Sequence, residues 1–315
     1  MLNHMLAAVN AVLPTFLIIA LGFFIRRRGM VDERSLTKFN SVAFRVFLAC
    51  QIFLNVYNSE LGEAFDLKLV IFTAIGLPLA GLLSLLLSIL VEPRRDRRGV
   101  MAQGMFRGNF VLLGMPLILS LFGPEAAGLT AVMIAINIPI YNVLSVIFLE
   151  LFAGGEINTK KMLRDIATNP LIDATFLALL FKLLRIPLDR VPILMSTMGS
   201  VAAVATPLCL FILGASFTPS SIGSGGKSLW ITVAMKLLIL PGAAIAAAAA
   251  IGIRGLALGL VLLSFGAPTA VTSYNMAREL GGDAELAASI VVVDTALSCL
   301  TLFAWIVLLK TLGLF

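Results

Sequence analysis

The sequence predicts an all-α integral membrane protein with ten transmembrane helices, arranged as two inverted five-helix repeats. Three observations carry that prediction. Hydrophobic residues make up 60% of the chain and charged residues 13%, whereas a soluble domain carries about 25% charge on its water-facing surface. Apolar runs of spanning length follow one another with short connections, which leaves no room for a soluble domain. Prolines recur at corresponding depths in the two halves.

A helix needs about 20 apolar residues to cross the hydrocarbon layer. Such runs lie at 8–25, 39–57, 69–90, 100–122, 127–152, 168–184, 191–217, 229–251, 256–277 and 285–309. Cytoplasmic loops are enriched in Lys and Arg. The loop after the first run holds Arg26, Arg27, Arg28, Arg34 and Lys38, and that after the third holds Arg94, Arg95, Arg97 and Arg98. Lys160, Lys161 and Arg164 follow the fifth, Lys227 the seventh and Arg278 the ninth. The other side has Lys68, Lys182, Arg185, Arg190, Arg254 and Lys310. The bias, fourteen against six, puts both termini outside.

The net charge of +6 therefore reports topology, and no nucleic-acid partner is expected. Cys50, Cys209 and Cys299 sit singly within apolar runs and read as packing residues. With His4 as the single histidine, neither a metal site, a cofactor nor a catalytic triad is expected. No cleavable signal is expected, because the basic cluster follows the first apolar run. Gly226-Lys227-Ser228 resembles the end of a phosphate-binding loop, but Ser221 stands where that motif needs Gly, so a Gly/Ser loop is expected there.

Five runs per half make the second half enter from the opposite side, a common transporter plan. The two halves are 1–156 and 157–315. Leu77-Pro78 matches Leu240-Pro241, Gly114-Met115-Pro116 matches Gly266-Ala267-Pro268, Asn137 matches Asp294, and Cys50 matches Cys209. A proline within a helix removes a backbone donor and clashes with the preceding turn. The Gly-flanked prolines Pro116 and Pro268 predict broken helices in the fourth and ninth runs. The exposed half-helix N-termini suit an anionic ligand near the bilayer midplane.

Polar groups within the hydrocarbon layer cost energy unless paired, so they mark candidate sites. Asn109 precedes the expected break at Pro116 by two turns. Asn137 and Tyr141, four apart, share a helix face. Thr269, Ser273 and Asn275 follow Pro268 closely. Asp294 is the most deeply embedded acid; it either binds a coupling proton or pairs with Lys236 or Arg45. Those two cations either snorkel or attract an anion.

These residues resemble the auxin efflux carrier family, which includes plant PIN-type carriers and bacterial permeases for malate or malonate. In the fourth run the family pattern is matched by Asn109, Gly114, Pro116 and Leu117; in the ninth, by Pro268 with Arg278-Glu279. Asn40, Asn169-Pro170, and Gly199, Ala202-Ala203, Pro207-Leu208 and Gly214 resemble the bacterial members. The resemblance implies the fold of bile-acid sodium symporters. Runs 1, 2, 6 and 7 would form a scaffold that dimerises. Runs 3–5 and 8–10 would form a transport domain whose fourth and ninth helices cross at their breaks. The substrate carboxylate would bind at that crossing, with Asn109 the residue carried over first. There are two departures: Ala49 stands where members often have Pro, and only the short link from Ala153 to Ala167 joins the halves, which favours a compact permease of the bacterial inner membrane.

The expected function is secondary transport of a small organic anion, such as malate, malonate or an auxin-like carboxylate, by alternating access. The substrate-binding candidates are Asn109, Gly114, Pro116, Asn137, Tyr141, Pro268, Thr269, Ser273 and Asn275. The coupling or charge-pair candidates are Asp294, Arg45 and Lys236. A sodium-coupled symporter is the alternative. It would need acids at the crossing, and none neighbours Pro116 or Pro268 in sequence, so uniport or proton coupling is favoured. A receptor without flux and an intramembrane enzyme are the readings from other classes; the second lacks an embedded nucleophile with its base.

Overall fold

The computed structural model describes residues 2–58, 66–153, 164 and 167–315, with side chains from residue 13. Lys160, Lys161, the boundary between the two predicted halves, and the side chain of His4 lie outside the described residues. Among those described, the chain is helical, and its sole β-type pairing is an isolated bridge between Gly108 and Thr269.

The helices are α1 (Leu2–Arg27), α2 (Glu33–Tyr57), α3 (Leu67–Val91), α4 (Arg95–Phe106), α5 (Phe110–Phe122), α6 (Ala127–Phe152) and α7 (Pro170–Leu183). They continue as α8 (Pro192–Ser216), α9 (Ser220–Ala250), α10 (Gly255–Gly266), α11 (Thr272–Glu279) and α12 (Ala284–Thr311). Eight of the ten apolar runs each fall on one helix, and the fourth and ninth each cover two, α4 with α5 and α10 with α11. Among the described residues, six helical stretches are long and apolar enough to cross a membrane, and Phe110–Phe122 and Gly255–Gly266 are shorter apolar helices. The protein is a multi-pass membrane protein. Rows of exposed apolar side chains, such as Ile71, Ile75, Leu79, Leu82 and Leu86 on α3, form its lipid-facing surface.

Local chemistry sets the helix starts. Asp32, Asp66, Asn169 and Asp283 cap α2, α3, α7 and α12, each accepting a backbone N–H of the first turn. The Ser35 hydroxyl and N–H hold the Asp32 carboxyl below its ordinary range. α1 lies along α8, and α2 packs on α7 and α8. Gly22 and Gly214 let α1 and α8 approach so closely that a Cβ on either would meet the other's backbone. α3 packs on α4 and α6, while α9 packs on α12 and α10.

Two expectations are corrected. The loop expected around Gly226-Lys227-Ser228 narrows to a kink at Gly226 (φ 53°, ψ −140°), where non-helical backbone separates two helical segments of α9. Tertiary partners hold it there: Ser221 is 2.7 Å from the Ser289 hydroxyl, and the Ser228 hydroxyl donates to Glu92. The break in the fourth run lies at Arg107–Asn109 and not at Pro116. Pro116 lies within α5, directly behind the π-helical turn Phe110–Gly114, and the helix runs through it to Phe122. Gly114-Met115-Pro116 is thus helical, whereas Ala267-Pro268 is the break itself, and the two segments are not structural equivalents.

Three π-helical turns, Ala43–Leu48, Phe110–Gly114 and Met235–Ile239, contain or adjoin Arg45, Asn109 and Lys236. Such widened turns often accompany functional positions. Near the last of them, Pro241 has no N–H for the Leu237 carbonyl four residues earlier; the Trp305 indole donates to that oxygen at 3.0 Å.

Candidate functional site

Two interrupted helices meet at their interruptions. α4 stops at Phe106, and α5 begins at Phe110; α10 stops at Gly266, and α11 begins at Thr272. The linkers between them are extended and pair with each other. The Asn109 N–H donates to the Pro268 carbonyl at 2.8 Å, beside the Gly108–Thr269 bridge. This pairing satisfies backbone groups that helix interruption strands away from water. Gly108 fits closely there: a Cβ would lie 3.3 Å from both the Lys236 Nζ and the Tyr141 Oη.

A cavity of about 310 Å³ opens on one side of this crossing. α2 contributes Gln51 and Asn55, α8 Thr206 and Cys209, and α6 Tyr141 and Asn142. The crossing contributes Arg107 to Leu112, and Ala270 to Thr272, so the N-terminal turns of α5 and α11 face the space. Both turns bring the positive end of a helix dipole. Asn109 is half-buried, and among the described residues its amide makes no hydrogen bond.

Arg107 is the group that the sequence reading passed over. It is 4% exposed and lines the cavity. Its guanidinium donates to the Asn142 Oδ1 at 2.9 Å, the Thr272 Oγ1 at 2.6 Å and the Met276 sulfur at 2.6 Å. Its Nε has no partner, and among the described residues no carboxylate pairs with it. A buried charge without a counter-charge is costly. The signal in the sequence was an arginine two residues before Asn109, well inside an apolar run.

Of the sequence candidates, Asn109, Pro116 and Tyr141 line the cavity. Tyr141 donates to the Ser264 carbonyl, and the Asn137 amide donates to the Ser264 hydroxyl at 2.9 Å, so their shared face fastens α6 to the end of α10. Gly114 packs against Phe110 and Leu263. Pro268 supplies its carbonyl to Asn109. The Ser273 carbonyl accepts from Gln103 at 3.0 Å, while its hydroxyl is buried without a partner. Asn275 donates to the Asn40 Oδ1 at 2.8 Å, and Asn40 returns a bond to the Asn275 carbonyl at 3.2 Å. Arg45 pairs with Glu279 at 3.2 Å, whereas Asp294 is fully buried.

Behind the crossing, Thr269 Oγ1 lies 2.8 Å from the Gly104 carbonyl and in contact with the Asp294 carboxyl. The expectation that no acid stands at the crossing is corrected. Asp294 reaches the residue after Pro268 from α12, a contact that local sequence does not reveal. The Lys236 ammonium donates to the carbonyls of Phe106 and Phe265, each at 3.1 Å, and interacts electrostatically with Asp294.

The model of a family described as membrane transport protein matches residues 7–306. The chain belongs to that family. The match spans nearly the whole chain, in accord with the resemblance carried by Asn109, Gly114, Pro116 and Pro268. A protein of Methanothermobacter thermautotrophicus named an uncharacterized transporter is 24% identical over 310 residues, covering 96% of this chain and 99% of the relative. Both comparisons describe membrane transport and not enzymatic chemistry.

Proposed function

We propose that the protein is a secondary transporter that carries a small organic anion across the membrane by alternating access. The observation that carries this reading is the buried guanidinium of Arg107, which faces the cavity without a counter-charge among the described residues. An anion in that space would neutralise it, aided by the N-terminal turns of α5 and α11 and by the unengaged amide of Asn109. The polar groups Gln51, Asn55, Tyr141 and Thr206 would orient the rest of the molecule. Malate, malonate and an auxin-like carboxylate all suit these groups.

The scaffold of this reading is α1, α2, α7 and α8. The transport domain is α3 to α6 with α9 to α12. The packing of α1 on α8 and of α2 on α7 supports the division. Counting each interrupted pair as one span gives ten spans, and the paired interruptions support two inverted repeats, 1–156 and 157–315, with both termini outside. Association as a homodimer through the scaffold, in a bacterial inner membrane, completes the proposal. Because the cavity lies between the two helix groups, rocking one against the other would open it to each side in turn.

Proton coupling is assigned to Asp294. Thr269 has one hydroxyl proton and two neighbours, the Gly104 carbonyl and the Asp294 carboxyl. A proton held by Asp294 completes that set without leaving an acceptor unmatched. A sodium-coupled symporter is the second reading, favoured by the same acid at the crossing.

The test is uptake of labelled malonate, malate and indole acetate into proteoliposomes. The proposal expects saturable uptake of at least one of them, abolished by Arg107→Gln. Uptake of none, or equal uptake by the variant, would remove its basis.

A further inference from the structure

We infer that Lys236 is a tethered cation, which occupies with its own ammonium the position that a soluble coupling cation would otherwise take at the crossing. The inference concerns the face opposite the cavity and does not depend on the identity of the anion.

The crossing has two electrostatic faces. The N-terminal turns of α5 and α11 look into the cavity. The C-terminal ends of α4 and α10 look the other way, and each leaves carbonyls without an intrahelical donor. These ends carry partial negative charge. In transporters built on discontinuous helices, such carbonyls coordinate sodium ions. Here one side chain serves both ends: Lys236 Nζ lies 3.1 Å from the carbonyl of Phe106, the last residue of α4, and 3.1 Å from that of Phe265, next to the last of α10. Lys236 is 0% exposed, as is Asp294, whose carboxyl interacts with it electrostatically and has one oxygen unpartnered. Oxygen donors from two helix ends with one acid nearby are the ligand chemistry of a hard monovalent cation. The ammonium meets that chemistry through hydrogen bonds, and it cannot dissociate.

Lys236 sits in the π-helical turn Met235–Ile239 of α9, where the widened turn precedes Pro241. The Gly108 Cα lies under the ammonium, since a Cβ there would be 3.3 Å from Nζ. The lysine is therefore a positioning residue. It joins the two interruptions from behind, while substrate would meet them from the front. It follows that the wild-type protein needs no sodium, and that deleting the ammonium creates a vacancy that small cations fill.

The experiment is thermal unfolding of the purified protein in sodium, potassium, methylammonium or N-methylglucamine chloride at matched ionic strength, with no organic anion added. A failure here is thus separable from a failure of the transport reading. The wild type is expected to unfold at the same temperature in all four salts. Lys236→Ala, and Lys236→Gln as the milder variant, are expected to unfold lower in N-methylglucamine. In methylammonium or sodium they should regain roughly 2–4 °C, the size of shift that ligation of a vacant site produces. The double variant Lys236→Ala with Asp294→Asn is expected to lose that recovery. A merely structural lysine would give variants indifferent to the cation. That result, variants that fold in none of the salts, or sodium-specific stabilisation of the wild type would each overturn the inference.

Discussion

The backbone N–H of Asn109 donates to the carbonyl oxygen of Pro268 at 2.8 Å. The two residues are far apart in sequence, yet each stands in the interruption of its own helix. Their bond makes the interruptions a single unit, so a change in one linker should be felt in the other. Gly108→Ala tests this most simply. Its methyl group would press on the Lys236 ammonium and the Tyr141 hydroxyl. A loss of about 1–3 kcal/mol is expected from such overpacking, read as a lower unfolding temperature. An unchanged temperature would mean that the linkers yield easily and are not held as a unit.

Asn109→Ala separates the side chain from this backbone role. The N–H bond to Pro268 survives the substitution, and the amide has no described hydrogen-bond partner to lose. Expression and unfolding temperature should match the wild type, while uptake should fall by more than about tenfold, the factor set by 1.4 kcal/mol of lost binding. Wild-type uptake would show that the amide does not meet the substrate.

Much of the fold was legible in the sequence, and the reason is solvent. Lipid demands continuous apolar helices, so hydropathy alone located α3, α6, α8 and α12. Pro268 was legible because it stands in the extended linker. Pro116 misled, because it follows the π-helical turn Phe110–Gly114 inside α5 and does not interrupt the helix. The contacts that build the site were not legible from local sequence. Asp294 on Thr269, Asn40 on Asn275 and Lys236 on two helix ends each join distant segments. Arg107 was visible as a charge in an apolar run, but its lack of a carboxylate partner is a property of the packed structure.

The Trp305 indole offers a test of how a membrane helix absorbs a proline. It donates to the Leu237 carbonyl, which Pro241 cannot serve. Trp305→Phe should cost about 1–3 kcal/mol by leaving that oxygen unpaired. In a Pro241→Ala background, where the restored N–H can serve Leu237, the same substitution should cost less. Equal costs in the two backgrounds would place the role of Trp305 in packing alone.

Asp294→Asn addresses coupling. The amide keeps a donor and an acceptor for Thr269, so the crossing should remain folded. It cannot exchange a proton. Uptake that varies with an imposed pH gradient in the wild type should become independent of it in the variant. A gradient effect that persists unchanged would move the coupling role elsewhere.

The most direct measurement of the central claim is thermal unfolding of wild type and Arg107→Gln with and without small carboxylates. Removing an uncompensated buried charge should leave the empty variant as stable as the wild type or more so. Malonate, malate or indole acetate should raise the unfolding temperature of the wild type and leave that of the variant unchanged. An empty variant that unfolds well below the wild type would make Arg107 a structural residue. Equal stabilisation of both by a carboxylate would contradict the assignment of Arg107 to the bound anion.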